Sequence, residues 1–156
     1  VEFQDYNCGY CRRAHPVVAS LKETMPDLQL VIMETPVLGK ESEFTAKVAL
    51  ALKALKGMDA YREFSDAMMS VQGKASAATS IRLLVELGHE PEEITAAVNE
   101  GIGADDLEKA KRLAAALGAT GTPDFVGPGG IIRGAAPADR LQAITTASAT
   151  DDSTGN

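Results

Sequence analysis

The sequence predicts an α/β domain in which a mixed central sheet is interrupted by a block of helices. Three observations carry that prediction. Strand-like runs occur only toward the two ends, at residues 1–4, 28–33 and 124–132. Between residues 37 and 118, apolar residues recur at the spacing of one helix face. Gly127-Pro128-Gly129-Gly130 separates the last two strand signals, as a hairpin turn does. The resulting order is β-α-β, a helical block, then β-β-α.

Composition narrows the class. A chain of 156 residues with 45% apolar content suffices for one domain around a real core. Aromatics are scarce at 4% and Trp is absent, so Ala, Leu and Val must do the packing, which suits close helices. A net charge of -7 argues against nucleic acid, which needs clustered Lys and Arg. No apolar run approaches the ~18–20 residues that span a bilayer. The chain opens inside a strand, which predicts a preceding segment outside this sequence. The lack of a targeting signal therefore carries no weight.

In the first strand, Val1 and Phe3 alternate with Glu2 and Gln4. After the Asp5-Tyr6-Asn7 turn, Cys11, Ala14, Val18, Leu21 and Met25 share one helix face, and Pro26-Asp27 ends the helix. Pro16 lies inside it, removes a backbone donor and predicts a bend. Leu28–Met33 is a dense apolar run of strand length, a buried parallel neighbour of the first strand.

Helical stripes follow. Phe44, Val48, Leu52 and Leu55 are closed by Gly57; Tyr61, Phe64 and Met68 follow Asp59 as N-cap. Ile81, Leu84 and Val85 end at Gly88, and Pro91 opens the helix of Ile94 and Val98. Leu107, Ala110, Ala114 and Leu117 stop at Gly118. The pair Met68-Met69 is read as core. Strands return at Asp124–Val126 and Ile131-Ile132, and Pro137 opens a last helix with Leu141 and Ile144 on one side. The polar tail from Thr145 to Asn156 is read as frayed.

Both cysteines of the chain, Cys8 and Cys11, form a single C-x-x-C where the first strand hands over to the first helix. Unpaired amides and the helix dipole favour a thiolate at such an N-terminus. Cys8 is thus the exposed attacker and Cys11, on the inward face, the resolving thiol. A zinc site needs about four Cys or His ligands, and the two histidines, His15 and His89, lie far apart in sequence. A structural disulfide closing so short a loop constrains little chain entropy. A thiolate pair also suits Cu(I), though no Met-rich or His-rich tract accompanies it. Redox exchange is the favoured chemistry, and a dithiol pair needs neither metal nor bound cofactor because the disulfide carries the two electrons.

The C-x-x-C at the start of the first helix, with a later Gly121-Thr122-Pro123 just before a hairpin, resembles the thioredoxin fold. The helical insertion resembles its DsbA-like branch. The run Phe3-x-Asp5-Tyr6-Asn7-Cys8-Gly9-Tyr10-Cys11-Arg12-Arg13-Ala14 is similar to bacterial extracytoplasmic members of that branch, the ScsC-type proteins and the outer membrane proteins grouped with them. The resemblance covers Val1 to about Ala147. It implies one DsbA-like domain over residues 1–149, with a thioredoxin part at 1–36 and 119–149, a helical insertion at 37–118 and a disordered tail at 150–156.

The resemblance further implies that Cys8 is the nucleophile, Cys11 its buried partner, and Pro123 a cis-proline beside them. Such a proline presents the backbone of Thr122 to an extended peptide. Glu2, six residues before Cys8, matches an acidic position beneath the cysteines that takes the Cys11 proton; the competing reading is a solvated Glu on the strand edge. The implied activity is protein disulfide oxidation, with isomerase or reductase work as the alternative for an oligomer. Implied partners are cysteine-containing proteins, a membrane redox protein, and further copies of the chain through a preceding segment, in a periplasmic or similar compartment. Gly9-Tyr10 departs from the Pro-His of the strongest oxidants, which predicts a milder potential. Gln4 and Asp124 stand where apolar residues are more usual. Asp124, Glu2 and Asp5 are expected to repel the thiolate, and His15 reads as a partly buried helix residue.

Overall fold

In the structure, a computed structural model that describes residues 1–146, the first strand lies inside the sheet. β1 (Glu2–Gln4) is paired parallel to β2 (Ile32–Glu34) and antiparallel to β3 (Asp124–Gly127), which pairs antiparallel with β4 (Gly130–Arg133). The order β2-β1-β3-β4 makes a mixed four-stranded sheet. Between β1 and β2 runs α1 (Gly9–Thr24), continuous through Pro16. The helices α2 (Lys40–Lys56), α3 (Met58–Ser70), α4 (Ala77–Glu86), α5 (Pro91–Asn99) and α6 (Ala104–Leu117) then precede β3, and α7 (Ala138–Ala143) follows β4. This is the α/β architecture of a thioredoxin fold carrying extra helices. The expected tail at 150–156 lies outside the described residues.

Register fixes what the sheet faces. Glu2 pairs with Ile32 and with Phe125, and Gln4 with Glu34, so all five point to one side. On that side Phe125 packs with Ala14, Val18 and Leu21 of α1 and with Leu141 of α7. A second core joins Tyr6, Cys8 and Cys11 to Val48, Leu52, Phe64, Met68, Leu84 and Ile94 of the helical block. The cysteine pair therefore sits where the inserted helices meet the sheet. Among the described residues no helix is long and apolar enough to cross a membrane.

Several sequence expectations are corrected. The second strand is not Leu28–Met33: it starts at Ile32 and ends at Glu34, because β1 offers only three residues to pair, and Val31 remains exposed. The predicted alternation of β1 is absent, since Glu2, Phe3 and Gln4 are all buried. Asp59 is not an N-cap. Gly57, at φ 92°, ends α2 and begins α3 at once, which leaves Asp59 in the first turn where its charge suits the dipole. The stripe on α4 is rotated: Ile81 and Val85 face solvent, and Ser80, Leu83 and Leu84 face inward. Ser80 is tolerated there because its hydroxyl donates to the Ser76 carbonyl at 2.9 Å and meets Thr45 Oγ1 at 3.3 Å. Leu55 is likewise exposed.

Candidate active site

The turn before α1 is built by Asp5. Its Oδ1 accepts from the Asn7 amide at 2.8 Å, and its Oδ2 accepts from the Val37 and Leu38 amides at 2.9 and 3.0 Å. Its carbonyl takes the Cys8 amide at 3.0 Å. The turn delivers Cys8 to the N-cap of α1 with extended backbone, φ -78° and ψ 113°, so its side chain reaches over the helix start. Cys8 Sγ accepts from the Cys11 amide at 3.4 Å, and Cys11 Sγ accepts from the Asp5 amide at 3.5 Å. Both cysteines are free thiols.

Across the chain, Cys8 S–H donates to the Thr122 carbonyl at 3.1 Å, and the Thr122–Pro123 peptide is cis. Asp124 organises that loop: its Oδ2 accepts from the amides of Thr120 at 2.9 Å and Gly121 at 3.3 Å. Asp5 and Asp124 are thus both engaged with backbone amides. The exposure expected for Cys8 is corrected. It is only 6% exposed, Cys11 is fully buried, and the projecting residue is Tyr10, 59% exposed with the Arg13 guanidinium 4.2 Å from its ring centre. Gly9 beside it is open to solvent. Burial pushes the Cys11 thiol far up, and the adjacent Cys8 adds to that.

Cys8, Cys11, Thr122 and Pro123 are therefore gathered at one point. Glu2 is not joined to either cysteine by a hydrogen bond among the described residues. It is 4% exposed rather than solvated, and burial, then the charge of Glu34, raises it to about 7. His15, on the outer turn of α1, is partly buried and meets Asp66 at 3.2 Å.

Glu34 is not marked by any motif in the sequence. One of its carboxylate oxygens accepts from Tyr61 at 2.6 Å, Tyr6 at 2.7 Å and Gln4 at 3.1 Å, while the other is buried without a partner. Desolvation raises it to about 7 against the lowering effect of those three donors. A polar residue at a core position of β1, Gln4, was the available signal, because its parallel partner is Glu34. Asn7 and Arg12 are likewise unmarked by any partner in the sequence, and their side chains bind the backbone between α3 and α4.

The model of the DSBA-like thioredoxin domain matches residues 1–145. The chain belongs to that family. Members of the DsbA-like family are thiol-disulfide oxidoreductases. A thioredoxin-like oxidoreductase from Silicibacter pomeroyi DSS-3 is 35% identical to this DsbA-like chain, covering 90% of it and 80% of its own length, with a TM-score of 0.84. The thiol-disulfide exchange protein alpha-DsbA2 from Wolbachia pipientis is 24% identical, covers 90% of this chain and 76% of its own, and has a TM-score of 0.80. The catalytic domain of Proteus mirabilis ScsC, also 24% identical, covers 92% and 78% with a TM-score of 0.78. The last two share the fold with this DsbA-like domain. Comparison with curated proteins gave no match.

Proposed function

We propose that Cys8 and Cys11 exchange a disulfide with cysteine-containing proteins, as the redox centre of a thioredoxin part (1–36 and 119–149) that carries a helical insertion (37–118). The carrying observation is the placement of Cys8 at a helix start with its Sγ 3.1 Å from the carbonyl before Pro123. In the oxidised protein a substrate thiolate attacks Cys8 Sγ. The Cys8–Cys11 bond breaks, and Cys11 leaves as a thiolate that takes up a proton, favoured by its raised pKa. A second substrate thiolate then attacks the substrate sulfur of the mixed disulfide and releases Cys8. Two substrate thiols become one disulfide, and two electrons and two protons pass to the pair and its surroundings.

Thr122 and Pro123 offer their backbone to the substrate as a short added strand. Glu2, a buried acid raised to about 7, is assigned the proton that Cys11 exchanges. The extracytoplasmic bacterial setting of DsbA-like and ScsC relatives supports oxidation of exported proteins, with a membrane redox partner restoring the disulfide. Equilibration of the pair with glutathione tests the proposal. The expected potential lies between about -270 and -120 mV, the span from thioredoxin to DsbA. Cys11→Ser should trap substrate as a mixed disulfide, and Cys8→Ser should not. Stoichiometric Cu(I) binding without any exchange would replace this function with metal carriage.

A further inference from the structure

The linker between α3 and α4, Val71–Ala75, is bound to the two residues that flank the C-x-x-C turn. Asn7, immediately before Cys8, closes a ring with Ala75: its Oδ1 accepts the Ala75 amide at 2.9 Å and its Nδ2 donates to the Ala75 carbonyl at 2.9 Å. Nδ2 also donates to Ser42 Oγ at 3.1 Å. Arg12, immediately after Cys11, donates from Nη1 to the carbonyls of Val71 at 3.0 Å and Gly73 at 2.6 Å, and from Nε to that of Tyr6 at 2.8 Å. Its remaining nitrogen, Nη2, is buried without a partner. Ala75 is fully buried in the same cluster as Cys8 and Cys11, while Gln72, Gly73 and Lys74 are exposed. A solvent-facing stretch of the inserted helices is thereby fixed against the redox pair by side chains from both ends of the motif.

Charge gives that stretch a preference. In a chain of net charge -7, Lys47, Lys53, Lys56, Arg62, Arg82 and Lys109 of the helical block lie in ion pairs, while Lys40, Lys74, Lys111 and Arg112 are in none among the described residues. Lys74, held between the carbonyl gripped by Arg12 and the residue ringed by Asn7, has no ion pair among the described residues. Neither has Arg13, which is exposed beside Tyr10 between the cysteines. Two cations outside any ion pair among the described residues are thus tied to the C-x-x-C turn, Arg13 within α1 and Lys74 through the linker that Asn7 and Arg12 hold. Just past that linker, the Glu41 carboxylate accepts the Ala77 amide at 2.8 Å.

We propose that Asn7 and Arg12 are positioning residues that hold Val71–Ala75 as a wall of the site, and that Lys74 and Arg13 on its rim select cysteine segments flanked by acidic residues. This rests on the exchange chemistry proposed above. Arg suits the first task because its planar fork serves several carbonyls at once, which a lysine ammonium on a single stem does not. Rim charges act on encounter and specificity more than on raw affinity, and salt screens them.

The test uses the oxidised full chain with two dicysteine peptides of equal length, one with Glu and one with Lys beside each cysteine, and with dithiothreitol as a substrate too small to touch the wall. The expected kcat/KM favours the Glu peptide by about fivefold or more at low salt, with the preference collapsing near 0.5 M NaCl. Lys74→Glu should cut that preference at least threefold. Asn7→Ala and Arg12→Lys should each lower the ratio of peptide rate to dithiothreitol rate by about tenfold, chiefly through KM. Thermal melts identify any variant that does not fold, and the exposed Lys74→Glu keeps the test decisive if one of the others fails. A wild-type preference within twofold, or ratios for all three variants within twofold of wild type, overturns the proposal while leaving the oxidoreductase intact. Failure to exchange with any of the three substrates overturns both.

Discussion

Glu34 accepts its three hydrogen bonds on one oxygen and leaves the other buried and bare, so its charged form is held by the two phenols and one amide. Tyr61→Phe removes a donor without changing the shape of the site. It should cost about 1–2 kcal/mol of unfolding free energy near pH 8, measured by urea titration, and less near pH 5 where the carboxyl is protonated. Glu34 and Glu2 both titrate near 7 in the folded chain, against 4.5 in the ordinary carboxyl. Between those values the folded state binds more protons than the unfolded one. The stability this supplies is complete below about pH 4.5 and is lost as pH rises through 7. Glu34→Gln keeps an acceptor for the three donors but cannot ionise. Its stability should fall less than wild type between about pH 5 and pH 8, by on the order of 2 kcal/mol. Parallel curves would show that Glu34 is not the source. At the cysteines, single-cysteine variants should be alkylated by iodoacetamide about tenfold or more faster at Cys8 than at Cys11 near pH 7, because Cys11 is both fully buried and raised in pKa. Equal rates would remove the distinction between attacker and buried partner.

At the scale of elements, α4 separates what periodicity can and cannot tell. Leu84 is fully buried, whereas Val85 is 60% exposed. Leu84→Ala should cost about 2–5 kcal/mol, and Val85→Ala about 0.5 kcal/mol or less, each measured by chemical denaturation. Similar costs would return the inward face to Val85. The sequence places a helix here because apolar spacing and Gly88 mark it, but it cannot choose the face: the inward position goes to Ser80, whose hydroxyl is satisfied by Ser76 and Thr45. The same limit applies to β2. An apolar run at Leu28–Met33 announces a strand, while its ends depend on how many residues of β1 are there to pair. The placement of Cys8 and Cys11 at one helix start was legible because it is local. The parts of Glu34, Asn7 and Arg12 were not legible, because their partners are set by tertiary contact at separations of up to 68 residues.

For the whole molecule, the hairpin and the last helix close the sheet. Gly127 and Gly130 pair across the Pro128-Gly129 turn, and a Cβ on Gly127 would collide with the Ile144 carbonyl at the end of α7. Gly127→Ala should therefore detach α7 or cost about 2–4 kcal/mol, as overpacking against backbone does, and hydrogen exchange should rise first at Leu141 and Ile144. A stability within about 0.5 kcal/mol of wild type would mean that α7 moves freely to make room.

Cys8 and Thr122 touch across 114 residues, with all five inserted helices between them. To the sheet those helices are a single connection, and the entropy of closing a connection grows only with the logarithm of its length, by roughly 0.6 kcal/mol for each doubling. Residues can be added to or taken from the far side of the helical block at little cost to the meeting of the two ends. The stretch that cannot drift is Val71–Ala75. The fold thus separates a region open to change in size and surface from a short span that must stay in step with the thiols, and diversity among descendants of this chain should concentrate in the first and stop at the second.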